Sequence, residues 1–216
     1  GRWFFVSMAQ RAVILANGLM ASDTKWPEIL LPDDLLIAAD GGARFFLAAE
    51  TVPNYVIGDL DSLTDAELDA LVRQGSRVVQ HSVRKDETDL ELAVNLAMDE
   101  GVNEILILAC LGGRWDQTLA NLMMLARPKL RKARLRILDG RQEVFLLRPG
   151  QTHRIDGRTG DTVSLIPIGG DARVTTTGLE YPLNNSVLAF GTTLGVSNQM
   201  NAPCYTVELC KGLLIC

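Results

Sequence analysis

Two hydrophobic periods alternate through the first two-thirds of this 216-residue chain, and that alternation constrains the fold more than any other feature. Short apolar runs end in polar residues: RAVILAN (11–17), LLIAAD (35–40), YVIGD (55–59), RVVQH (77–81), EILILAC (104–110) and ARLRILD (133–139). These have the length and make-up of buried strands. Stretches with helical spacing lie between them: ARFFLAAE after Gly41-Gly42, TDAELDALVRQG (64–75), TDLELAVNLAMDEG (88–101) and TLANLMMLARP (118–128). In the third of these, Leu90, Ala93, Val94 and Ala97 share one face. Strands alternating with helices predict a mostly parallel sheet covered on both faces. After about Asp139 the pattern changes to short β-rich segments (EVFLLRPGQTHRI, TVSLIPIG, ARVTTTGLEYPL, SVLAFGTT, YTVELCKGLLI) punctuated by Gly, Pro and Asn, with no convincing helix. The expected fold is therefore an α/β N-terminal domain with a mostly parallel sheet over residues 1–140. An all-β sandwich C-terminal domain is expected over residues 141–216.

Charge narrows the partners. The net charge of −5, with no Lys/Arg run, argues against nucleic acid. An acidic protein that handles polyanions needs a metal ion or a few well-placed cationic groups. The cysteines (Cys110, Cys204, Cys210, Cys216) form no C-x-x-C pair, and His81 and His153 have no neighbouring ligands, so free thiols in a reducing compartment are expected rather than zinc. No apolar run approaches the roughly 20 residues of a membrane span, and the patch in GRWFFVSMAQ is too short for a signal peptide's central region. The expectation is a cytoplasmic protein with no membrane partner; Gly1 in place of Met points to Met8 as the natural start.

In open α/β sheets ligands sit beyond the carboxyl ends of the strands, and acidic residues collect there. Asp40 closes one strand, and Asp59 and Asp61 the next. Asp86 and Asp89 (RKDETDLELA) and Asp116 (CLGGRWDQTLAN) each lie between a strand and a helix. Capping is the ordinary explanation for such residues. It weakens for Asp59 and Asp61, because Thr64 with Glu67 already forms a T-x-x-E capping box. Thr88 and Glu91 likewise cap the next helix and leave Asp86 outside it, whereas at Asp89 capping and metal binding are equally plausible. A rim of this kind suits Mg²⁺, a hard cation that prefers carboxylates and polyphosphate oxygens, with Asp59 and Asp61 as its first candidate ligands.

Gly41-Gly42 and Gly112-Gly113 read either as turn formers or as sites where backbone N–H groups approach a phosphate. Arg114 offers a fork of donors suited to phosphate and Lys85 a point charge, unless both are solvated surface residues. Neither a P-loop nor a dinucleotide fingerprint is present.

Taken together, ADGGA, IGDLDSL, KDETDLELA, GGRWDQTLAN and VTTTGLEYPLNNSVLAFGTTLGVSN occur in an order and approximate spacing that resemble the thiamine pyrophosphokinase (thiamine diphosphokinase) family, from about Val13 to Leu214. The resemblance implies a homodimer with an α/β domain, a β-sandwich, and an active site at the subunit interface. It implies Mg²⁺-dependent transfer of the pyrophosphoryl group of ATP to the hydroxyl of thiamine, giving thiamine diphosphate and AMP. Carried over by motif, Asp59, Asp61 and Asp89 become metal candidates and, with Asp116, the catalytic candidates. Asp40, Lys85, Asp86, Thr88, Gly113, Arg114 and Gln117 become candidates for ATP and its phosphates, and Tyr181, Ser197 and Asn198 for thiamine. At position 117 many relatives carry His; the neutral amide of Gln117 orients a group but is no general base. Tyr181 stands where Trp is common, keeping a stacking face of smaller area. Two alternatives stay open: an Mg²⁺-dependent phosphotransferase acting on another small alcohol, and a non-enzymatic thiamine or nucleotide sensor.

Overall fold

The computed structural model describes residues 10–82 and 86–216. The expectations for the opening segment and for Lys85 lie outside the described residues. The chain divides into two compact units, one ending at Glu143 and the other beginning at Val144.

The first unit is a sheet of strands β1 (Arg11–Leu15), β2 (Leu35–Ala39), β3 (Tyr55–Gly58), β4 (Arg77–Gln80), β5 (Glu104–Leu108) and β6 (Arg134–Asp139), all paired in parallel. The spatial order is β6-β5-β1-β2-β3-β4. Growth of the sheet reverses direction at β1, between β5 and β2, which creates a switch point at the carboxyl ends of the central strands. Helices α1 (Ala43–Ala48), α2 (Asp65–Gln74), α3 (Asp89–Asp99) and α4 (Trp115–Met124) follow β2, β3, β4 and β5.

Both faces of strands β1, β2, β3 and β5 are buried, as the continuous apolar runs predict, while the edge strand β4 is partly exposed. On one side Val13, Leu15, Ala38, Val56, Leu106 and Leu108 pack with Ala43, Phe46, Leu60, Leu63 and Leu71. Trp26 meets Phe46 edge-on, with ring centroids 5.2 Å apart. The alternate residues Ala12, Ile14, Ile37 and Ile107 point the other way along the pleat and are fully buried. Helix α3 lies against β1, β2 and β3 with Ala93, Val94 and Ala97 inward.

Local chemistry sets the helix ends. Thr64 and Glu67 close a reciprocal capping box on α2, and Gly75 ends it in the left-handed conformation at φ 106°. The Thr88 hydroxyl accepts from the Glu91 N–H at 3.2 Å and caps α3. Helix α4 differs from expectation: it starts at Trp115, three residues before Thr118, so Asp116 and Gln117 occupy its first turn rather than a preceding loop. It also stops at Met124, and the next turn, Pro128–Lys132, is 3₁₀, where Pro cannot continue the α-helical ladder.

The second unit is β-rich, with strands β7 (Gln142–Leu147), β8 (Thr152–Asp156), β9 (Thr162–Val163), β10 (Ile166–Thr177), β11 (Ser186–Leu188), β12 (Asn198–Gln199) and β13 (Cys204–Ile215). Strand β13 pairs with β8 through its first half, with β7 at its end, and with β10 along its length. TVSLIPIG and ARVTTTG contribute to one long strand, β10, rather than two, because bulges between Ile168 and Val174 absorb the glycines. The short β9–β12 ribbon brings Val163 and Met200 onto the core of Val174, Leu188, Val207 and Leu209, closing a small sandwich.

Candidate active site

Four chain segments deliver polar side chains to the carboxyl end of the parallel sheet. Asn17 follows β1, and Asp40 opens the 3₁₀ turn after β2 at φ 48°. Asp59 follows β3, and Asp89 is the first residue of α3 after β4. Carboxylate oxygens of Asp40, Asp59 and Asp89 lie within 4.8 Å of one another. Asp40 is 5% exposed; Asp59 and Asp89 are half-buried.

The glycines of this rim make room for side chains. A Cβ on Gly58, whose φ is 145°, would lie 2.9 Å from the Asp89 carboxylate carbon and 3.3 Å from Asp40 Cβ. A Cβ on Gly41 would strike the Asn17 amide, and one on Gly42 the Leu15 carbonyl. The structure therefore gives Gly41-Gly42 a packing role: the pair lets the Asp40 turn sit against the end of β1.

Asp61 lies outside the trio and is exposed. Its N–H donates to Asp59 Oδ1 at 3.3 Å, tying the loop across Leu60, which itself has φ 65°. The nearby Asp59 charge pushes the Asp61 carboxyl above its ordinary range, followed by burial and Asp40. The loop is clamped from behind. The Arg44 guanidinium donates to the Ser62 carbonyl and reaches Glu67 at 2.9 Å, and Glu67 also accepts from the Thr64 N–H at 2.8 Å. Arg44, then the Thr64 N–H, holds the Glu67 carboxyl down at about 2.

The two oxygens of Asp40 have different surroundings. Oδ2 accepts from Asn17 Nδ2 at 3.2 Å and from the Ser62 hydroxyl, while Oδ1 is buried with no hydrogen-bond partner. An orphaned buried carboxylate oxygen beside two further carboxylates fits an oxygen-seeking cation such as Mg²⁺, and burial without one is costly. Asn17, Ser62 and Arg44 reach this site through contacts between residues 18 to 45 positions apart, which a pattern of acidic residues does not reveal. The one available signal was Asn17, which ends a strand on the same rim.

At the neighbouring strand end, Gly112 (φ 81°) and Gly113 (φ 71°) lead into α4, and the Gly112 N–H donates to Thr118 Oγ1 at 3.0 Å. A Cβ on Gly113 would meet open space. Arg114 and Asp116 form an exposed two-point ion pair, at 3.1 and 2.5 Å. Arg114, followed by the Gln117 N–H, holds the Asp116 carboxyl below its ordinary range. Asp86, Thr88 and Gln117 are all exposed.

In the second unit, Tyr181 is 68% exposed. Asn198 grips its backbone on both sides, with Oδ1 accepting from the Tyr181 N–H at 3.1 Å and Nδ2 donating to the Tyr181 carbonyl at 2.8 Å. Ser197 adopts φ 62° and donates its N–H to Ser164 Oγ at 3.0 Å. The structure thus brings Tyr181, Ser197 and Asn198 together, and gives the Asn198 amide a supporting task.

Residues 27–138 match the family model described as "Thiamin pyrophosphokinase, catalytic domain", and residues 152–214 the one described as "Thiamin pyrophosphokinase, vitamin B1 binding domain". The thiamine pyrophosphokinase of Bacillus subtilis is 30% identical over 198 residues, spanning 88% of this chain and 92% of its own. Thiamine pyrophosphokinase 2 of Arabidopsis thaliana is also 30% identical, over 83% of this chain and 76% of its own. The crystal structure of the Bacillus subtilis protein superposes with a TM-score of 0.84 over 95% of this chain and 96% of that one.

Proposed function

The chain belongs to the thiamine pyrophosphokinase family, and on that premise we propose that it transfers the pyrophosphoryl group of ATP to the hydroxyl of thiamine, with Mg²⁺, giving thiamine diphosphate and AMP. The observation that carries this reading is the trio Asp40, Asp59 and Asp89, with the orphaned Oδ1 of Asp40, beyond the carboxyl ends of β2, β3 and β4 in a parallel sheet. These three carboxylates would hold the cation, with the exposed Asp61 beside them. When bound, Mg²⁺ would offset the negative charge of the phosphoryl oxygens.

The chain's own groups account for the rest. Open backbone at Gly113, the N-terminal turn of α4 and the Arg114 guanidinium offer donors to the polyphosphate, with Asp86, Thr88 and Gln117 on the same rim. The thiamine hydroxyl oxygen bonds to the β-phosphorus of ATP, the bond from that phosphorus to the α–β bridging oxygen breaks, and AMP departs with that oxygen. The hydroxyl proton passes to a carboxylate. Asp89 and Asp116 are the candidates, and Arg114, which engages Asp116, holds that carboxyl below its ordinary range. The exposed Tyr181 ring would stack on thiamine with Ser197 beside it, and Asn198 would fix the ring's backbone.

A homodimer with a shared site belongs to the same proposal, supported by the exposure of Tyr181, Phe190, Leu194 and Val196 in the second unit. So does a cytoplasmic location; among the described residues no helix is long and apolar enough to cross a membrane.

Product analysis with Mg²⁺, ATP and thiamine tests the reading. Thiamine-dependent AMP with an equal amount of thiamine diphosphate is the expected result. ADP with thiamine monophosphate would reveal an ordinary kinase, and thiamine binding without turnover a sensor.

A further inference from the structure

We infer that Asn17 and Ser62 are positioning residues for the cation site: they occupy Oδ2 of Asp40 and so commit its Oδ1 to the metal. The inference rests on the reading of Asp40, Asp59 and Asp89 as cation ligands.

A carboxylate has two equivalent oxygens, and rotation about its terminal torsion exchanges them. In a cluster of three carboxylates that freedom blurs the geometry of the site. Here it is removed. Asn17 Nδ2 donates to Asp40 Oδ2 at 3.2 Å and to Ser62 Oγ at 3.1 Å, and the Ser62 hydroxyl donates onward to the same Oδ2. The Ser62 hydroxyl also lies 3.4 Å from Asp61 Oδ1, but its closer contact and that of Asn17 meet on Asp40 Oδ2, and Asp40 Oδ1 stays buried without a hydrogen bond.

Each donor is itself held. Asn17 packs on Gly41, where any Cβ would strike its amide. Ser62 is fixed through its carbonyl by Arg44, and Arg44 by Glu67, the residue that closes the cap of α2. The N-terminus of α2 and the end of β1 are thereby wired to a single carboxylate torsion. Hydrogen bonds to the far side of a ligating group fix its orientation, and losing one costs about 10–100-fold in metal affinity.

The test is Mn²⁺ binding to the full chain in the presence of α,β-methylene-ATP, followed by electron paramagnetic resonance, with thermal unfolding measured in parallel. Ser62→Ala and Asn17→Ala should each weaken Mn²⁺ at least about tenfold, with little change in melting temperature. Ser62→Thr, which keeps the hydroxyl, should recover most of the affinity. Asp40→Asn serves as the reference for loss of a ligand. If Asp40→Asn weakens binding while Ser62→Ala and Asn17→Ala bind as the unaltered chain does, the positioning role is overturned and the cation site stands. If Asp40→Asn itself binds Mn²⁺ unchanged, the cation reading fails, and the inference with it.

Discussion

Replacing Gly58 with Ala perturbs backbone and site together, and the structure separates the two contributions. At φ 145° an L-residue is strained, which costs on the order of 1–3 kcal/mol. The added methyl would also stand 2.9 Å from Asp89 Cγ and Oδ1 and 3.3 Å from Asp40 Cβ. Asp89 must rotate away or the β3 end must shift, and displacing a packed group adds roughly 1 kcal/mol or more. The expected loss is about 2–4 kcal/mol, together with much weaker Mn²⁺ binding. Gly113→Ala is the control, because its φ of 71° imposes strain but its Cβ meets open space; it should cost about 1–2 kcal/mol. Urea unfolding followed by circular dichroism gives both values, and Mn²⁺ titration reads the site. If Gly58→Ala unfolds at the midpoint of the unaltered chain and binds Mn²⁺ normally, the argument that this glycine makes room for Asp40 and Asp89 is wrong.

Other consequences are equally concrete. Glu67, held at about 2 by Arg44, contributes stability that is fully present above its ordinary value of 4.5 and is lost as pH falls towards 2; Glu67→Gln should flatten this acid limb in melting curves measured from pH 6 to 2. Asn198→Ala removes two hydrogen bonds from the Tyr181 backbone. At about 1 kcal/mol each their loss should lower the melting temperature by several degrees and raise the KM for thiamine with kcat changed far less; an unaltered KM would refute the supporting role. Burial pushes the Cys110 thiol up to about 12, whereas Cys210 is exposed. A thiol reagent at pH 8 should therefore modify Cys210 in the native protein and reach Cys110 only after unfolding.

What was legible in the sequence followed from local rules. The Thr64–Glu67 box, the Gly75 stop and the period of the apolar runs each act within a few residues, so the strands and the start of α2 could be read directly. Helix α4 starts before the expected Thr118 because Arg114 already serves as the N-cap residue. The single β10 strand was hidden because its bulge needs the long partner β13 to hold it. At the site, acidity points to the strand-end rim, while the grouping of its carboxylates is set by the tertiary fold. Asp59 and Asp61, neighbours in sequence, stay close across Leu60 at positive φ, and Asp40, distant in sequence, groups with Asp59 and Asp89. The roles of Asn17 and Ser62 depend on contacts 22 to 45 residues apart in the chain, which no local pattern encodes.

Asp40, with its orphaned oxygen, is the residue on which the cation site turns. The decisive measurement is thiamine-dependent AMP formation by Asp40→Asn over a range of Mg²⁺ concentrations, on protein whose melting curve shows it folded. At least about a hundredfold loss at ordinary Mg²⁺ is expected if Asp40 holds the cation, partly recovered as Mg²⁺ is raised. Activity equal to that of the unaltered chain at every Mg²⁺ concentration would contradict it.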